Sequence, residues 1–237
     1  MVAVPPGRPL AYAVRVSSRA RHVRLQVSAR DGLLVVVPRR FDQSRLEALV
    51  ESRRDWIERA VSRVGLPIEV EPLQLPEWIE LASLGERWEV RYSGPRDSAT
   101  VACRERCGGR LLVSSQDPLA ASVALQRWLS RRARAALVPQ LLELAVERGL
   151  TVTAVSIRAQ RSRWASCSAK GSVSLNRNLA FLPPRLTEVV LLHELCHLSE
   201  MNHGPGFWAL LAAEVPELAE RQAELHQAWR HVPRWAL

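Results

Sequence analysis

Hydrophobic and polar positions alternate through the first part of the chain. In "AYAVRVSSRARHVRLQVSARDGLLVVVP", Tyr12, Val14 and Val16 take every second place, and so do Val23, Leu25 and Val27. A period of two puts such residues on one face of a strand. "ARDG" then marks a turn into "LLVVVP". The period changes in "DQSRLEALVESRRDWIERAVSRVG", where Leu46, Leu49, Val50, Ile57, Ala60, Val61 and Val64 form one helical stripe. Asp42 or Ser44 is placed to cap that helix and Gly65 to end it. The prolines of "LPIEVEPLQLPEW" predict a connector. Strands follow in "RWEVRYS" and "ATVACRERCGGRLLVSS", the second a predicted hairpin through Gly108–Gly109.

A long helix is predicted over "DPLAASVALQRWLSRRARAALVPQLLELAVERG". Asp117 caps it, Pro118 suits its first turn, and Gly149 ends it. Pro139 lacks an N–H and is expected to kink this helix or divide it in two. "TVTAVSIRAQRSRWASCSAKGSVSLNRNLAFLP" reads as two or three strands with a turn at "SAKG". Two helices close the chain, "PPRLTEVVLLHELCHLSEMN" and "GFWALLAAEVPELAERQAELHQAWRHV". The pattern predicts an α+β protein, with a strand-rich α+β region over residues 1–116 and a helix-plus-sheet domain over residues 117–237.

Composition narrows the setting. The 237 residues are 47% hydrophobic and 24% charged, which suits a globular chain with a sizeable core. No apolar run approaches the roughly 18 residues of a membrane-spanning helix. The start, "MVAVPPGRPLAYAVRV", has prolines where a signal peptide needs an unbroken apolar stretch. A cytoplasmic protein with no membrane association is expected, and its four cysteines are then reduced thiols. Cys103 and Cys107 have no matching second pair to complete a structural zinc site; alternation on a strand would turn both the same way. The net charge is +9, and Lys170 is the sole lysine. The arginines are scattered, which favours a solvated basic face over a nucleic-acid partner, and no recognised DNA-binding motif accompanies them.

The candidate chemistry lies in "VVLLHELCHLSEMNHGPGFW", which holds three of the six histidines. Residues four apart share a helix face, so His193 and His197 can direct imidazole nitrogens at one ion. Glu194 is offset around the helix, as suits a base beside a metal rather than a ligand on it. Three titratable groups in an apolar run are costly to bury without a partner, and a bound cation removes that cost. His203 is the natural third ligand if the chain turns first. Asn202 can take the left-handed conformation that ends a helix, and Gly204–Pro205 stops the helix from resuming at once. Glu217 and Glu214 are the rival third ligands. The ligand spacing matches the metzincin pattern, but Glu200 stands where that pattern has glycine, and Met1 and Met201 leave no downstream Met-turn.

Three protein ligands leave a fourth position open on zinc, as in catalytic sites. The expected reaction is hydrolysis by metal-activated water, with Glu194 as general base. Tyr12 and Tyr92 are far away in sequence, so Arg161 or Arg163 in "RSRWASCS" is the candidate to stabilise the oxyanion or hold substrate. Phe207 and Trp208 are expected to pack the third-ligand loop onto the core.

"RSRWASCSAKGSVSLN", then "PP", then "HELCHLSEMNHGPGFW" together resemble the YgjP-like metallopeptidase family, with a more distant similarity to SprT-type zinc proteases. The resemblance is strongest over residues 158–210, and the early strands with the "DWI" helix extend it. It implies a minimal zincin-like core, a Zn2+ cofactor, a peptide or protein substrate, ligands His193, His197 and His203, and Glu194 as base. It also implies that the "RSRW" strand borders the cleft and that Cys167 belongs to the motif. The sequence departs from the family at Ala165, where glycine is usual, and at Gly204, where serine is usual. Two other functions remain open. One is a metal-dependent nucleoside triphosphate (UTP-type) pyrophosphatase, a label that some family members carry. The other is a SprT-like protease acting on DNA-bound proteins.

Overall fold

The computed structural model describes residues 10, 12–17, 20–28, 32–38, 41–42, 45–64, 74–94, 101–160 and 162–237. Ser44, Gly65, Arg161 and most of the proline-rich connector lie outside them. The chain packs as two compact units, residues 1–72 and 73–237.

In the first unit, β1 (Tyr12–Ser17) runs parallel to β3 (Gly32–Pro38), and β2 (Arg24–Ser28) runs antiparallel to it, in the order β1-β3-β2. Leu33 to Val37 are all buried on the central strand. A continuous apolar run is what a strand paired on both sides and covered on its face requires. Helices α1 (Leu46–Glu51) and α2 (Arg54–Val64) bring Leu46, Val50, Ile57 and Val61 to Leu33, Val35 and Val37. The single stripe read from sequence is therefore carried by two helices, separated by a turn at Ser52–Arg53. The first helix starts after Arg45 without a side-chain cap, and the Asp42 carbonyl accepts the Arg45 N–H at 3.2 Å.

The second unit has two sheets and one long helix. Strands β4 (Trp78–Leu81), β5 (Glu86–Tyr92), β6 (Cys103–Arg106) and β7 (Arg110–Val113) form a mixed sheet ordered β4-β5-β7-β6. The β6–β7 hairpin turns at Gly108 and Gly109, with φ of 78° and 68°, a conformation that glycine adopts without strain. Cys103 is buried on β6 and Cys107 is exposed in that turn. They do not share a strand face, because the strand ends before the second cysteine.

Helix α3 (Pro118–Glu147) begins where expected, with the Asp117 carboxylate accepting the Ala120 N–H at 2.7 Å. It is not divided at Pro139. That residue is exposed, while Ala133, Leu137, Leu141 and Ala145 pack a continuous buried stripe past it. The Leu150 N–H returns to the Ala145 carbonyl at 2.9 Å, and Gly149 has φ of 63°, which closes the helix.

The first half of α3 gives Leu125, Trp128 and Leu129 to the four-stranded sheet. The second half meets the other sheet, formed by β8 (Ala154–Arg158), β9 (Ala165–Cys167) and β10 (Ser172–Asn176) in the order β8-β10-β9. Because α3 belongs to both cores, packing divides the chain after Pro72, whereas sequence pattern drew its division at the start of this helix. Three further helices follow: α4 (Pro184–Cys196), α5 (Pro205–Glu214) and α6 (Leu218–Gln227). The expected single closing helix is broken at Pro216. Glu217 there has φ of 58°, the one positive value outside glycine among the described residues. The architecture is α+β with mixed sheets. Among the described residues no helix is long and apolar enough to cross a membrane.

Candidate metal centre

Helix α4 is fixed on two sides. Leu186, Val190, Leu191 and Leu195 enter the core shared with α3 and β10. Val189, Leu192 and Cys196 pack against Phe207 and Leu211 of α5. The Thr187 hydroxyl, fully buried, donates to the Leu179 carbonyl at 3.1 Å and ties down the first turn. The remaining face carries His193, Glu194 and His197.

The helix ends at His197, whose backbone is still right-handed. The chain turns through main-chain bonds from Leu198 to Leu195 and from Ser199 to Cys196, at 3.0 and 3.1 Å. Asn202 does not take the left-handed conformation expected of it; these tight three-residue bonds turn the chain instead. Gly204 is extended, and α5 starts at Pro205.

The turn delivers His203 to the pair on α4. One nitrogen from each of His193, His197 and His203 falls in a set whose members all lie within 4.8 Å of one another. The Nε2 atoms of His203 and His193 are 3.1 Å apart. Two nitrogens each about 2.0–2.1 Å from a tetrahedral ion stand roughly 3.4 Å apart, so this spacing suits one shared metal ion. His197 donates from Nδ1 to the Glu200 carbonyl at 3.0 Å, which fixes its tautomer and leaves Nε2 with a free lone pair. Phe207 is fully buried, with its ring centroid 4.8, 4.6 and 4.7 Å from those of His193, His197 and His203. The Trp208 indole N–H donates to the His203 carbonyl at 3.1 Å. Both aromatics pack the third-histidine loop.

Electrostatics agree with a cation site. Burial holds the His193 imidazole down at about 4, helped by the neighbouring His197 and His203. A neutral imidazole is the form that ligates a metal. Glu194 is 5% exposed, and its Oε2 has no hydrogen-bond partner among the described residues. Burial pushes its carboxyl up to about 7, while the Arg163 charge and a hydrogen bond with the Cys167 main chain pull it back. A buried carboxyl with one unpartnered oxygen beside three converging imidazoles is a donor set that zinc and a water molecule would complete.

The rival ligands are engaged elsewhere. Glu214 pairs with Arg148 at 2.7 Å, and Glu217 is exposed near Arg221. Tyr92 donates from its hydroxyl to the Pro76 carbonyl at 2.7 Å, within the four-stranded sheet. Arg163 is exposed and close enough to act on Glu194. Sequence reasoning passed over Asn176. Its fully buried amide donates to the carbonyls of Gln160 and Arg163, both at 2.9 Å, and its Oδ1 accepts the Asn178 N–H. An asparagine at the end of an apolar strand was the available signal.

Among curated proteins, none matches this chain. Among solved structures, the chain is similar to one described as the crystal structure of the metallopeptidase zymogen of Pyrococcus abyssi abylysin. The two are 26% identical, the match covers 39% of this chain and 95% of that one, and the TM-score is 0.36. The family model for the YgjP-like metallopeptidase domain matches residues 21–228. That span holds the whole histidine cluster and strand β9, whose Cys167 main chain is hydrogen-bonded to Glu194, and the chain belongs to the YgjP-like metallopeptidase family.

Proposed function

We propose that this protein is a zinc-dependent peptidase in which His193, His197 and His203 hold the ion and Glu194 is the general base. The observation that carries the reading is the convergence of three imidazoles beside a buried, half-satisfied carboxyl. Zinc held there would supply Lewis-acid polarisation of a carbonyl and activation of water.

The chain's own residues do the rest. Glu194, poised near 7, can take a proton at neutral pH and return it to a leaving amine. Its unpartnered Oε2 is the atom free to do so. Arg163 places a positive charge beside it and is assigned to the developing oxyanion of the substrate. Among the described residues, strand β9 is an edge of its sheet and pairs with β10. Its other edge can accept an extended peptide or protein segment as an added strand.

The test is Glu194→Gln, purified beside wild type with zinc measured by mass spectrometry. Peptide cleavage should fall by roughly 10²–10⁴-fold while about one zinc per chain remains. Cleavage that persists in the variant would remove Glu194 from the role of base.

A further inference from the structure

A cavity of about 380 Å³ opens beside the histidine cluster, with His197 forming part of its wall. Its other walls are the loop before β8, with Leu150, Thr151 and Thr153, and the β9–β10 turn, with Ser168 and Lys170. A volume of that size accepts a substrate side chain with room to spare. Among the residues of that wall, Lys170 alone carries a standing charge, and it is positive. Among the described residues Lys170 makes no ion pair. The wall otherwise offers hydroxyls from Thr151, Thr153 and Ser168, and apolar surface from Leu150, Leu198 and Met201.

The turn that presents Lys170 is built rigidly. The Gly171 N–H donates to the Ser168 carbonyl at 2.8 Å, and the Ser168 N–H donates to the Ser172 carbonyl at 3.0 Å. Across the cavity, the Thr153 N–H donates to the Gly171 carbonyl at 2.9 Å and the Thr153 hydroxyl to the Lys170 carbonyl at 2.8 Å. Gly171 has φ of 73°, and a Cβ there would stand 3.4 Å from Thr153 Cγ2. The backbone under Lys170 is therefore fixed, and only its side chain is free to move.

The cavity also touches the reaction site from a second direction. Ser168 on its wall directly follows Cys167, whose main chain is hydrogen-bonded to the Glu194 carboxyl. An extended chain advances about 3.3 Å per residue and sends alternate side chains to opposite faces. A peptide with its reacting carbonyl near Glu194 thus brings a side chain, or its own end, to the cavity within one or two residues.

We propose that this cavity is a carboxylate-selecting subsite, in which Lys170 pairs with a Glu or Asp side chain or with the C-terminal carboxylate of the substrate. The assignment rests on the peptidase reading above, and the test separates the two. The probes are alanine–leucine peptides in which one position at a time is Glu, its neutral isostere Gln, or Lys, each made with a free and an amidated C-terminus. They are measured by cleavage with the zinc-loaded wild type, and by fluorescence anisotropy for binding to zinc-loaded Glu194→Gln. One position, or the free terminus, should be favoured by about fivefold over its neutral counterpart, the scale of a partly exposed ion pair. Lys170→Met should abolish that preference, and Lys170→Glu should reverse it in favour of a lysine peptide, with zinc content unchanged in both. A side-chain preference and a terminal one distinguish the two sources of the carboxylate. Parity between Glu and Gln and between acid and amide, or a preference that survives Lys170→Glu, overturns the subsite and leaves peptidase activity standing. Lys170-dependent binding without any cleavage supports the subsite and counts against the peptidase reading.

Discussion

Burial acts with opposite sign on His193 and Glu194. The folded His193 sits at about 4, below its ordinary 6.5. The unfolded chain therefore binds more protons between those values, and stability rises with pH across that window. The folded Glu194 sits at about 7, above its ordinary 4.5. Here the folded chain binds more protons, and stability falls as pH climbs from 4.5 to 7. The two trends offset each other over most of the range. In the metal-free protein, Glu194→Gln should expose the His193 trend and become more stable from pH 4 to 6.5. His193→Gln should expose the Glu194 trend and become less stable from pH 4.5 to 7. Urea denaturation of chelated protein at a series of pH values measures both slopes, and a slope of the other sign in either variant contradicts the assignment. His203→Ala should lose or weaken the zinc measured by mass spectrometry, since among the described residues neither Glu214 nor Glu217 belongs to the cluster of metal-ligating groups. At this scale much was legible from the sequence. Spacing alone brought His193 and His197 together and kept Glu194 beside them. The third histidine depended on how the chain turned after α4. Sequence expected Asn202 to turn it, and a run of tight main-chain bonds does so instead.

Among the elements, the segment between β8 and β9 is held at Gln160 and Arg163 by their carbonyls, and the Arg163 charge acts on Glu194. Asn176 donates to both carbonyls. Asn176→Ala removes the donor from those carbonyls and the acceptor from the buried Asn178 N–H, and should cost roughly 1–3 kcal/mol of stability, read by denaturant unfolding. Zinc content should be unchanged, because none of the three clustered histidines lies there, while catalytic activity should fall as Arg163 loses its support. Full activity in a destabilised variant would show that the segment is only structural. Elements were legible where a local rule acted alone. The Asp117 cap, the Pro118 start and the Gly149 stop fixed both ends of α3. They were less legible where rules competed. Strand β4 starts on the last residue of the predicted connector and was not predicted, although Ile79 and Leu81 are buried and alternate with exposed Trp78 and Glu80. Pro139 was expected to interrupt a helix whose packed face runs on past it, and Pro216 was read through as helix although the chain breaks there.

At the scale of the chain, each buried cluster of the described residues falls within one of the two units. The cluster of the first unit contains only residues before Gly65, and the three of the second unit contain only residues after Pro72. Residues 73–237 should therefore fold alone, show a cooperative thermal transition by circular dichroism, and bind zinc. A fragment that stays unfolded with zinc supplied would show that the second core depends on the first unit. Pattern reading identified the α+β class. The unit boundary was hidden from it, because periodicity reports which face of a helix is buried but not how many cores that face serves.

Helix α3 also shapes how the second unit opens. Thirty residues at about 1.5 Å each make a rod of roughly 45 Å, and its buried face supplies both the four-stranded and the three-stranded sheets. Neither sheet can be released without baring half of that rod. Amide protons from Leu125 to Leu141 should therefore exchange with deuterium as one slow class, set by global unfolding rather than by local fraying. Pro139 interrupts the hydrogen-bond ladder on the exposed side, so the Ala135 carbonyl lacks the N–H it would normally accept. Water can reach that carbonyl, on the outer surface of a helix whose inner surface opens last.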